Sequence, residues 1–256
     1  MARSDLWTRD QLLMALRLYM RLPFGRLHRL NPEIIQLASQ IGRTPNAMAM
    51  KACNFANLDP ALQARGIRGL RNIGNADRKI WQEFAANPES LAAEAEDAAV
   101  RISGQENVQV EGLPELRIPG GETEVERVIR ARRVQSFFRA AVLTTYESKC
   151  ALSDIRSPEL LTASHIIPWS VSVERRADPR NGLCLNALFD RAFDRGLISL
   201  DDDMRVLVSK KLSSEIAEVR LKCSLDAIAG AALRVPRRFP PDPVAIRYHR
   251  EHVLLR

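Results

Sequence analysis

The chemistry-bearing residues gather in one stretch, TASHIIPWSVSVERRADPRNGLCLNALFDRAFDRG, from Thr162 to Gly196. His165 follows an apolar, strand-like run that Pro168 ends, so its imidazole can point out of a strand end into a cleft. A neutral histidine near pH 7 can take a proton from water. Asn181-Gly182 marks a tight turn. Asp190 and Asp194 follow on a short amphipathic segment that Gly196 closes. At i and i+4 on a helix their carboxylates share one face and repel each other. A hard divalent cation held by carboxylate oxygens would relieve that repulsion. So would Arg191 and Arg195, which stand beside them. Each residue also has an ordinary reading: a satisfied structural histidine, a simple turn, a solvated helix face. Their order, strand, histidine, loop, Asn-Gly, helix with paired carboxylates, favours the chemical reading.

The elements that must hold this stretch are themselves readable. "GLISLDDDMRVLV" reads as two strands about the acidic turn Asp201 to Asp203. Upstream, Thr123 with Glu126 has the spacing of a capping box. It opens a long helix through "ERVIRARRVQSFFRAAVLTTYESK", packed by Val128, Phe138, Ala141, Val142 and Tyr146. The last residues, "FPPDPVAIRYHREHVLLR", are expected to pack back on this half.

The first hundred residues read as helices. "TRDQLLMALRLYMRL" has Leu12, Leu13, Leu16 and Met20 at helical spacing behind a Thr8 cap. Asn31-Pro32 and Thr44-Pro45 each pair a cap with a proline at the first helical position. Gly42 ends the helix between them. A short turn between two helices is a helix-turn-helix pattern, whose second helix can enter a major groove. Asn46, Lys51 and Asn54 are expected to face outward from that helix, with Arg43 before it. Arg65, Arg68 and Arg71 lie in a Gly-rich loop suited to phosphate, and Trp81 and Phe84 close the small core.

Charge supports a polyanionic partner. Residues 1–85 carry 13 Lys/Arg against 6 Asp/Glu, residues 86–131 carry 4 against 10, and residues 132–256 carry 21 against 15. Basic blocks bind nucleic acid through counterion release. The expected organisation is a helical DNA-recognition domain over 1–100, an acidic linker over 101–122 and a catalytic domain over 123–256. The fold class is α+β. The four cysteines form no CxxC pair, so neither a disulfide framework nor a zinc knuckle is expected. No apolar run is long enough to span a membrane. "MARSDLWTRD" puts charge where a signal peptide needs an apolar core, so a cytoplasmic protein is expected.

With "ASHIIPW", "NGLCLNALFD" and "FDRGLISLDDD" in this order, residues 123–256 resemble the HNH endonucleases, whose core is the ββα-metal fold. The upstream "RRVQSFFRAAVLTTYESKCALS" is similar to the helix preceding that core in a bacterial, restriction-type branch. The resemblance implies that His165 is the general base and Asn181 a loop anchor. It implies one divalent ion, magnesium or manganese, held by Asp190, then Asp194, with Ser164 as a further contact. Two departures stand out: Asp190 replaces the commoner His or Asn, and Ser164 replaces a commoner metal-binding Asp or His. Arg175, Arg176 and Arg180 become candidate phosphate contacts. The first block is similar, less closely, to DNA-reading domains of such nucleases, including sulfur-binding ones. Duplex DNA, plain or modified, is the implied substrate, and a homodimer the implied assembly for cutting both strands. Two other roles stay open: a defence effector switched on by a partner or signal, and a DNA-binding regulator with an inactive core.

Overall fold

The structure, a computed structural model, describes residues 6–66, 73–104, 122–211 and 225–255. Arg68 and Arg71 lie outside them. The chain is α+β and divides into two compact units, Met1–Thr144 and Thr145–Arg256.

The first unit is helical: α1 (Arg9–Arg21), α2 (Pro32–Gln40), α3 (Pro45–Leu58), α4 (Pro60–Ala64), α5 (Asn75–Ala86), α6 (Pro88–Ser103) and α7 (Glu122–Thr145). One local rule sets many of these starts. A cap residue that accepts a backbone N–H stands before a proline at Asn31-Pro32, Thr44-Pro45, Asp59-Pro60 and Asn87-Pro88. The cap satisfies an orphan donor, and proline fixes φ where no N–H is needed. Thr8 and Gln11 form the capping box of α1. Gly42 takes φ +66° after α2, a conformation that favours glycine. Leu13, Leu16, Tyr19, Ile34, Met48 and Phe55 are fully buried. Trp81 packs among Tyr19, Phe55 and Phe84.

The second unit carries two antiparallel hairpins. β1 (Leu161–His165) pairs with β2 (Gly182–Asn186), with His165 opposite Gly182. α8 (Ala187–Asp194) follows β2 at once, because Asn186 caps it through the N–H groups of Leu188 and Phe189. β3 (Ile198–Leu200) pairs with β4 (Val206–Val208) about the expected acidic turn. α9 (Pro243–His252), capped by Asp242, packs on β3. Gly196 turns the chain after α8 at φ +68°, and a Cβ there would stand 2.0 Å from the Val253 carbonyl oxygen. The C-terminal segment is thereby seated against the end of α8, as expected.

Three features depart from the sequence reading. α6 continues to Ser103, past the expected linker start at 101. α7 groups with the first unit rather than the second. It begins at Glu122, so Thr123 lies inside its first turn and not at the cap.

Candidate functional site

The β1–β2–α8 unit brings the second half's candidate residues to one place. Backbone pairing ends at His165, and the next residue, Ile166, donates its N–H to the Asn181 carbonyl at 2.9 Å. The Asn181 side chain then closes the loop between the strands. Its Oδ1 accepts from Ile167 N at 2.8 Å, and its Nδ2 donates to the carbonyls of Ile167 at 3.1 Å and Arg175 at 3.3 Å. Asn181 is 1% exposed, so these backbone groups have no water to replace it.

The loop delivers the group that orients His165. Nε2 lies 3.0 Å from the Arg176 carbonyl. A carbonyl only accepts, so Nε2 carries the proton and the neutral ring has its lone pair on Nδ1. The Trp169 ring stands edge-on to the imidazole at 5.6 Å. Arg176 stacks over that Trp169 ring at 4.7 Å and donates to the Trp169 carbonyl. Burial pushes the His165 pKa down to about 4; the Arg176 carbonyl opposes this and the Arg176 charge adds to it. His165 is therefore neutral at physiological pH.

Ser164, beside it on β1, is buried, and its Oγ has no hydrogen-bond partner. It lies near the Asp194 carboxylate, though not in hydrogen-bonding geometry. Asp194 is exposed as a residue, yet desolvation of its carboxyl end raises its pKa; Arg191, the Ser164 hydroxyl and Arg195 pull the other way. Asp190 sits half-buried one turn earlier on α8. Among the described residues, no three His, Cys, Asp or Glu converge to hold a metal ion. The donors near β1 and α8 are instead two carboxylates and a buried hydroxyl. All are hard oxygens, a set that fits a magnesium-like ion retaining several waters.

The three arginines of the loop have protein partners. Arg175 pairs with Asp242 at 2.6 Å, tying the loop to the start of α9. Burial alone would raise the Asp242 carboxyl, but Arg175, the Val244 N–H and Arg180 hold it below the usual range. Arg180 makes a bidentate pair with Asp178, with about half its side chain exposed (52%).

In the first unit the outward-facing expectation holds for Asn46 and fails for Lys51 and Asn54. Asp77, on α5, is fully buried. Lys51 Nζ donates to its two oxygens at 3.0 and 3.2 Å, and Asn54 Nδ2 donates to Oδ2 at 2.7 Å. Both side chains are drawn inward because a buried carboxylate needs partners. Arg43 is half-buried, donating to Gln11 and to the Leu6 carbonyl and stacking on Trp7. Asn46 is exposed, as is Arg65 at the end of α4.

Trp169, Asp178 and the Arg176 carbonyl were not foreseen. Asp178-Pro179 repeats the cap-plus-proline pattern and could have been found from it; a backbone carbonyl carries no sequence signal.

Comparison with known families places a name on part of this geometry. Residues 150–201 match the model of the HNH endonuclease family, a span that includes His165, Asn181, Asp190 and Asp194. The similarity of this segment to that family supports nuclease activity, and nucleases of the family generally use a divalent metal. No curated protein matches the chain. Among the described residues no helix is long and apolar enough to cross a membrane.

Proposed function

We propose that the protein is a divalent-metal-dependent endonuclease that hydrolyses phosphodiester bonds of duplex DNA, with His165 as general base. One observation carries the reading: the hydrogen bond from His165 Nε2 to the Arg176 carbonyl. It leaves the basic lone pair on Nδ1, the atom that takes the proton from the attacking water. Asn181 acts one step back. By bonding the N–H and the carbonyl of Ile167 and the carbonyl of Arg175, it holds the loop that holds His165. Asp190 and Asp194, with Ser164, are the residues that would hold the metal. When bound, the ion supplies Lewis-acid stabilisation of charge on the phosphate and the leaving oxygen.

The helix-turn-helix-like first unit and the basic segments at both ends support a restriction or defence role on plain or modified DNA. Asn46 and Arg65 are exposed there for phosphate or base contact, and Arg180 near the active site. A cytoplasmic homodimer, with one active site per strand, completes the reading. Plasmid DNA, unmodified, methylated or phosphorothioated, is incubated with protein and magnesium or manganese. Nicking that EDTA abolishes is the expected result. Intact plasmid in every combination would leave a DNA-binding regulator with an inactive core.

A further inference from the structure

Within the first unit, α1, α2, α6 and α7 surround a cavity of about 560 Å³. That is the size of a small-molecule site. Three arginines, Arg17, Arg21 and Arg133, and two glutamates, Glu33 and Glu96, contribute to its wall.

The pairing of these charges is uneven. Glu96 is 6% exposed, and both of its oxygens accept from Arg17, at 2.9 and 3.1 Å. Arg133 pairs with Asp97. The nearest cation to Glu33 is Arg26, at 3.6 Å. Arg21 is left over. Its Nη1 is 3.8 Å from Glu96 Oε1, beyond hydrogen-bond reach, and that oxygen is already engaged by Arg17. Arg17 and Arg21 thus stand one turn apart on α1 and share a single buried carboxylate. The Arg21 side chain lines the cavity and is 36% exposed. Its pKa is lowered by desolvation first and by the neighbouring Arg17 charge second.

The Arg21 guanidinium lines the cavity and makes no hydrogen bond to Glu96, so its donors remain available to a ligand. An anion in the cavity would complete them. Two guanidinia from consecutive turns converge better on a tetrahedral anion with several acceptor oxygens than on a planar carboxylate. The rest of the wall suits a larger body than phosphate alone. Gln36, Gln40 and Ser136 offer neutral hydrogen bonds, and Met14, Leu18 and Leu37 an apolar side.

We infer that this cavity binds a small phosphorylated molecule, its phosphate on Arg21 and Arg17 and its body against α2 and α6. The inference is independent of the nuclease reading, since no residue of residues 145–256 takes part.

The test uses the full chain, with inorganic phosphate and adenosine 5′-monophosphate as probes, followed by calorimetry and thermal unfolding. Both probes should bind, the nucleotide more tightly, and both should raise the melting temperature. Arg21→Gln should weaken binding about 10-fold or more, the loss of one charge-assisted contact. Without ligand, Arg21→Gln should melt at or above the wild-type temperature, because it removes the repulsion with Arg17. Three outcomes would each overturn the proposal. The wild type binds neither probe at millimolar concentration. Arg21→Gln binds them as well as wild type does. Unliganded Arg21→Gln melts well below wild type, which would make Arg21 a structural residue. Loss of duplex DNA affinity in Arg21→Gln without phosphate binding by the wild type would assign Arg21 to a DNA contact instead.

Discussion

Lowering the pH should unfasten the helix that carries the two aspartates. His249 of α9 is 1% exposed and lies between β3 and α8. Its Nε2 donates to the Phe193 carbonyl at 3.1 Å, its Nδ1 accepts from the Ser199 hydroxyl at 2.9 Å, and its ring stacks on Phe193 at 3.6 Å. Burial pushes its pKa from the ordinary 6.5 down to about 4, against the pull of the Phe193 carbonyl. The unfolded chain therefore binds a proton between these pH values that the folded chain refuses, and stability falls as pH drops through 6.5 towards 4. The whole gap is worth ~3 kcal/mol, of which about 2 kcal/mol is lost by pH 5. Half-buried His165 has its pKa displaced in the same sense, so a variant must separate the two. Urea unfolding of wild type and His249→Gln at pH 7.5 and 5.0 does so. Wild type should lose about 2 kcal/mol more than the variant between these pH values. Equal losses would mean that His249 titrates normally and that its burial does not set the acid stability of this unit.

Three further outcomes follow from the same contacts. Asn181→Ala strands the Ile167 N–H and two carbonyls in a buried loop; it should cost ~2–4 kcal/mol by thermal unfolding and lower single-turnover cleavage about 100-fold, and wild-type values for both would show that the loop holds itself. Lys51→Met leaves Asp77 buried without its cation, so it should destabilise by ~3–5 kcal/mol in urea; a stable variant whose DNA binding has lost part of its salt dependence would return Lys51 to the DNA surface. Gly196→Ala meets both a positive φ and the Val253 carbonyl, and should lower stability by more than about 2 kcal/mol; an unchanged melting temperature would show that residues 253–255 are not seated against α8.

Much of this was legible in the sequence where the signal is local. Asn31-Pro32 and Thr44-Pro45 marked helix starts because cap and proline act within one turn. Asp190 and Asp194 fell on one helix face because their spacing fixes it. Partners distant in the chain were not legible. Nothing near Lys51 or Asn54 announces that Asp77 will be buried beneath them, so a helical wheel turned both outward. Arg175 read as a phosphate contact because Asp242, its partner, is supplied by α9. The orientation of His165 escaped detection for another reason: the Arg176 carbonyl does it, and any residue type has a carbonyl. α7 groups with residues 1–144 although its sequence was read with the second half, because sequence pattern does not say which core claims a long helix.

The most direct measurement is single-turnover cleavage of a plasmid by wild type and His165→Ala, with magnesium or manganese and with EDTA, alongside circular dichroism and a gel shift of both proteins. If His165 is the base, the variant should fold and bind DNA as wild type does while cutting about 10²–10⁴-fold more slowly, and EDTA should abolish the wild-type reaction. A folded His165→Ala protein that cuts at the wild-type rate would remove His165 from the chemistry, and the hydrogen bond to the Arg176 carbonyl would then be structural only.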